Sequence, residues 1–189
     1  MILERIKKET QEHHERIESS SLMSKISDRS ISHTDYLKIL SKFYGFFYPL
    51  EIQLDQLKEL TTYLTDYTQR RKSSSILKDI EQLGGTKTDC GLCNDLPSLE
   101  SISEAFGILY VMEGSTLGGR MISKIVEERL SLTSEYGINF FNGYGPLTGE
   151  RWNHFRKSLV EFAEATQDEE TIINAANQTF HKFYNWINL

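Results

Sequence analysis

The stretch Tyr110-Val111-Met112-Glu113-Gly114-Ser115-Thr116-Leu117-Gly118-Gly119-Arg120 decides how the chain is read. Apolar residues before it (Leu99, Ile102, Phe106, Leu109) and after it (Ile122, Ile125, Val126, Leu130) recur at helical spacing, so one helix is predicted to run through the glycines. Each glycine weakens a helix by about 1 kcal/mol relative to alanine, so the three together give up roughly 3 kcal/mol. At 3.6 residues per turn, Gly114, Ser115, Gly118 and Gly119 fall on one side with Val111 and Ile122, leaving nearly bare backbone between apolar shoulders. Such a strip admits either a neighbouring helix at close range or a flat cofactor, and the glycines alone leave both readings open.

Outward from this helix the same periodicity repeats. A first helix is expected over residues 2 to 18, with Leu3, Ile6, Thr10, His13 and Ile17 inward. A second, capped by Ser32 or Thr34, runs through Tyr36, Leu40, Phe43 and Phe47 toward Leu60, and Pro49 is expected to kink or break it. A third is predicted over 66 to 83, stopped by Gly84-Gly85. Ser98 is read as opening the glycine helix, residues 131 to 147 as a long loop, and two further helices are expected at 148 to 165 and 168 to 187. Alternation of period two persists nowhere, so the fold class is all-α, one domain over 1–189.

Composition narrows the function classes. At 189 residues with 39% hydrophobic and 25% charged residues, the chain is a soluble globular type that needs no metal or disulfide staple. A net charge of −6 argues against a general nucleic-acid binder. No apolar run approaches the about 20 residues a bilayer span needs and no signal peptide is evident, so a cytoplasmic protein without a membrane partner is expected. Cys90 and Cys93 form one Cys-Gly-Leu-Cys element in a loop without the second pair a structural zinc would want; they are read as free thiols, with a redox or metal role as the alternative.

Histidine placement supplies the chemistry. His13 and His14 point about 100° apart on a helix, so they cannot share one task. Glu18 lies one turn after His14 and leans back over it, Thr10 lies one turn before, and Lys7 a further turn back. An axial metal ligand needs this set: one ring nitrogen inward, the other held by a second group, and a cation near an anionic ligand. An ordinary surface or core histidine is the competing reading, and His13 is read as a core-edge residue. Glu-x-x-His and His-Glu-x-x-His are both absent, which removes di-iron carboxylate and zinc-protease readings.

Taken together, Lys7 to Glu18 resembles the proximal helix of heme oxygenases, and Met112 to Arg120 resembles their glycine-rich distal helix in its bacterial Glu-Gly-Ser-Thr-Leu-Gly-Gly form. The resemblance implies a soluble, biliverdin-producing enzyme with heme sandwiched between the first helix and a glycine-kinked distal helix. It implies His14 as the iron ligand, Glu18 as that histidine's partner, Lys7 and either Arg151 or Arg156 near the heme propionates, and Thr10 and Phe180 beside the pocket. Gly114, Gly118 and Gly119 would form the distal wall. Many family members carry an Asp in the glycine motif; here Ser115 stands there, so water and the Ser115 hydroxyl become the expected proton donors.

The implied reaction opens heme, both cofactor and substrate, with O2 and reducing equivalents to biliverdin, Fe2+ and CO. It needs an electron donor such as a reductase, a ferredoxin or an ascorbate-like reductant. A neutral histidine lacks the electron push of a thiolate toward O–O cleavage, in keeping with that outcome. Three alternatives remain: a heme-binding module for storage or sensing, a thiamine-directed relative of the same helical superfamily, which would want a cysteine nucleophile on a pocket helix, and a purely structural helical protein.

Overall fold

The computed structural model describes residues 1–70 and 72–189, and among these there is no strand, only isolated bridges joining Thr133 to Tyr136 and Gly137. The helices in chain order are α1 (Ile2–Glu18), α2 (Ser24–Ser27), α3 (His33–Leu54), α4 (Leu60–Tyr63), α5 (Ser74–Gln82), α6 (Ile102–Leu130), α7 (Thr148–Thr166) and α8 (Glu169–Ile187). Three helices therefore carry the expected spans closely: α1, α7 and α8.

α8 is the axis on which the others are assembled. Arg5 reaches Glu169 and Glu170, His13 meets His181, and Arg16 sits over Tyr184, so α1 runs parallel to α8. α6 runs parallel to it on another face. A Cβ on Gly107 would come within 2.3 Å of the Ile172 carbonyl and 2.7 Å of Ala175, an approach only glycine allows. The bulky core lies where α3 meets α8 and the loop after α6: Phe43, Phe47, Phe140, Phe141 and Phe183 form one edge-to-face cluster, with ring centroids 4.8 Å apart for Phe43 and Phe183.

Three expectations are corrected. Pro49 neither breaks α3 nor ends it; the helix runs to Leu54. Proline removes the N–H that would bond the Gly45 carbonyl, and the Cys93 N–H supplies the replacement at 2.8 Å, so the cost of an interior proline is offset by a distant loop. The expected helix over 66–83 is shorter, since Arg70 is extended (φ −76°, ψ 157°) and α5 starts only at Ser74. The cap of α6 is Ser101, whose hydroxyl accepts from the Glu104 N–H, rather than Ser98. The cap of α3 is Ser32, in a reciprocal box with Asp35.

Candidate functional site

α6 passes through Gly114, Gly118 and Gly119 as uninterrupted helix, and none of the three takes a positive φ. Their surroundings differ. A Cβ on Gly119 would lie 2.7 Å from the Phe141 carbonyl, so this residue is bare because the loop after α6 packs on it. Its expected place on an open wall gives way to that contact. A Cβ on Gly114 would touch only the Trp152 ring at 3.7 Å, and one on Gly118 would meet nothing within 4 Å. The bare backbone of the strip is therefore open at Gly118, partly covered at Gly114 and closed at Gly119.

On α1, the His14 ring packs edge-on against Phe180 with centroids 5.8 Å apart, and its Nδ1 faces Glu18 Oε2 at 3.7 Å, beyond direct hydrogen-bond length. The His14 side chain is 55% exposed and that of Glu18 58%. Lys7 is exposed, while Thr10 is buried and its hydroxyl donates to the Ile6 carbonyl at 2.6 Å. Tyr110 of α6 lies beside Thr10 and within the field of Arg156: burial pushes its phenol up, and those two groups act against the shift. Thr10, Tyr110 and Arg156 therefore bring α1, α6 and α7 to one point.

His14 and the partly covered Gly114 lie at comparable heights along α8, with the open Gly118 about one turn, roughly 6 Å, further on. Gly114 follows Gly107 by seven residues, about 10 Å of rise, while Phe180 follows Ala175 by five, about 7 Å. The structure thus brings Lys7, Thr10, His14, Glu18 and Phe180 together on the α1–α8 side and sets Gly114 and Gly118 on the neighbouring helix. The two arginines separate. Arg151 donates to Asp66 at 2.8 Å, away from α1, whereas Arg156 is exposed and turned toward Tyr110. The Ser115 hydroxyl donates to the Met112 carbonyl at 2.6 Å, so its proton is directed into its own helix rather than outward.

Behind the glycines lies a polar cluster that the sequence reading did not assemble. Glu113 Oε2 accepts from Arg70 at 2.6 Å, and the Tyr144 hydroxyl lies 2.9 and 3.0 Å from its two oxygens. Arg70 also grips Asp66 through two nitrogens and donates to the Arg151 carbonyl. His154 Nδ1 stands 3.2 Å from Asp66. Burial would raise the Asp66 carboxyl, but Arg151 and Arg70 outweigh it and hold it below the usual carboxylate range. Beside the cluster is a cavity of about 20 Å³ bordered by Glu51, Tyr67, Arg70, Ser73 and Glu113, room for about one water and far too small for a macrocycle. The available signal was a carboxylate, Glu113, inside an apolar helical run; nothing in the sequence pointed to Arg70 as its partner.

Comparison with known proteins resolves what this arrangement belongs to. The family model described as heme oxygenase matches residues 1–188. The chain belongs to the heme oxygenase family. A heme oxygenase of Xanthomonas campestris pv. campestris is 24% identical over 166 residues, covering 86% of this chain and 94% of that protein. Among solved structures, the NO- and CO-bound heme oxygenase of Neisseria meningitidis aligns with a TM-score of 0.82 at 20% identity, over 98% of this chain and 89% of the other. The heme oxygenase of Leptospira interrogans aligns at 0.78 and 17% identity over 99% and 98%. The heme complex of heme oxygenase-1 from Synechocystis sp. PCC6803 aligns at 0.76 and 15% over 99% and 90%. This heme oxygenase is accordingly an all-α oxidoreductase that uses heme, O2 and a reductant. No helix among the described residues is long and apolar enough to cross a membrane.

Proposed function

We propose that this heme oxygenase opens the heme macrocycle to biliverdin, Fe2+ and CO, with heme held between α1 and α6 and His14 on its iron. The observation that carries the reading is the pairing of one imidazole, backed by Phe180, with Gly114 at a similar height along α8 and bare helix opening at Gly118 about one turn further on. A flat ring can approach Gly118 because a Cβ there would fill space that no protein atom occupies within 4 Å. When bound, heme supplies the iron at which O2 is activated and the carbon skeleton that is cut.

The chain's own groups do the rest. His14 would hold the iron through Nε2, with Nδ1 facing Glu18 at 3.7 Å, a span that one water can bridge. Lys7 and Arg156 offer cations at the pocket edge for the propionates; Arg156 is favoured over Arg151 because Asp66 already engages the latter. Phe180 backs the His14 ring, and Thr10, buried one turn before it, keeps its hydroxyl on the Ile6 carbonyl. Proton supply falls to water, since the Ser115 hydroxyl points to Met112 and would have to rotate to serve. The two cysteines are free thiols, which supports a reducing, cytoplasmic setting. The bacterial origin of these relatives supports a bacterial type of enzyme.

Heme titration followed by reductant and O2 tests the reading. A Soret band that appears and then gives way to the biliverdin spectrum supports it. A Soret band that persists means heme is held but not opened, and no Soret band at all overturns the pocket.

A further inference from the structure

Three glycines make one turn after another of α6 deformable, yet a wall over a reactive ring must be stiff. What stiffens it is visible at the residue that precedes the first glycine. Glu113 is 4% exposed, and both of its carboxylate oxygens are occupied by groups from other parts of the chain. Arg70 arrives from the extended segment before α5 and Tyr144 from the loop after α6. Arg70 is itself 4% exposed and locked by Asp66, which Arg151 of α7 also holds. The same loop lays the Phe141 carbonyl on Gly119. The glycine segment is thus pinned at both ends to one loop.

A buried ion pair is weak evidence for stability, because desolvation offsets most of the attraction. Its directional hydrogen bonds do fix register, and a carboxylate gripped from two sides cannot slide without breaking both. We infer that Glu113 is the positioning residue of the distal wall: its charge, held by Arg70 and Tyr144, sets where the Gly114 to Gly119 backbone stands over heme. This rests on the proposed heme pocket. Glu113 points away from the bared strip toward Arg70, so it acts through the helix and not on the substrate.

The test uses the full chain with and without heme. Hydrogen exchange of the apo protein reads the amides of residues 114 to 119, and the C–O stretch of the reduced heme–CO complex reads the wall's position over the iron. Glu113→Gln is expected to accelerate exchange in that segment at least about tenfold and to broaden or shift the C–O band. Tyr144→Phe, a milder change that leaves the ion pair, should do the same to a smaller degree. The double variant Arg70→Met with Glu113→Met removes both charges together, a replacement that cores commonly tolerate. It should regain thermal stability without regaining the wild-type C–O band or exchange protection. If exchange and the C–O band in all three variants match wild type, or follow the melting temperature alone, the inference is overturned. Failure of the wild type to bind heme would instead sink the pocket, while the apo exchange result would still stand or fall on its own.

Discussion

The two helices assigned to the heme pocket are held in opposite ways. On α1 the chemistry sits at the surface: His14 and Glu18 are each more than half exposed, and the residues that anchor the helix, Ile2, Ile6 and Ile17, lie on a different face. On α6 the proposed functional surface is backbone, and what fixes it is a buried scaffold of Glu113, Arg70, Asp66 and Tyr144 drawn from three segments. Function and stability are therefore separable on one side and merged on the other.

His14→Ala is the strongest way to sharpen that contrast. Losing the proposed ligand should lower the proposed biliverdin formation by more than the roughly 10- to 100-fold that loss of a ligand's partner brings, with the melting temperature of the apo protein unchanged. An active variant, or one that unfolds, would break the comparison. A glycine pair probes α6. Gly107→Ala forces a Cβ against the Ile172 carbonyl, and overpacking of this kind costs about 1–3 kcal/mol, or about 2–4 °C of melting temperature per kcal/mol at this size. Gly118→Leu should leave melting nearly untouched while weakening heme affinity about tenfold or more, as read by titration. Glu18→Gln should be gentler than His14→Ala, at or below about tenfold in turnover, because at 3.7 Å the carboxylate touches the imidazole only loosely.

The smallest effect is a pH dependence. Asp66 is held below its unfolded value, so the folded state binds that proton less readily than the unfolded chain does. Its contribution is fully present above about pH 4, the ordinary carboxylate value, and fades as pH falls through the depressed one. Asp79 has the opposite sign. Burial dominates and raises its carboxyl despite the N–H groups of Phe140 and Asn139, so its stabilising contribution declines as pH rises from about 4. Denaturant melts across the acid range should show Asp66→Asn flattening the loss of stability at low pH; an unaltered profile would mean the α7 side of the scaffold is not electrostatically held.

Legibility followed the range of the interaction. Spacing of His14, Glu18 and Thr10 is written within single helical turns, and the long helices announce themselves by period, so those could be read directly. Glu113 and Arg70 are 43 positions apart, and Arg70 meets its partner only because the chain stays extended where helical period was read. Likewise α3 continues through Pro49, where a kink or break is expected from sequence, because the Cys93 N–H that replaces the lost bond comes from a loop whose approach no local rule predicts. The three glycines looked alike in sequence; only the Phe141 carbonyl tells Gly119 from Gly118.

That Cys93 contact has a consequence for anyone re-engineering the molecule. Gly91, two residues before Cys93, crosses Gly45 so closely that a methyl on Gly45 would collide with the Gly91 carbonyl at 2.2 Å, and the Trp186 indole closes the crossing while bonding the Lys42 carbonyl. A graft that lengthens the cysteine segment, or a fusion partner that tugs on the final helix, would unplug the middle of α3. Tags belong at the opposite end of the bundle, near Met1, where α1 begins beside the start of α8 and away from that three-segment splice.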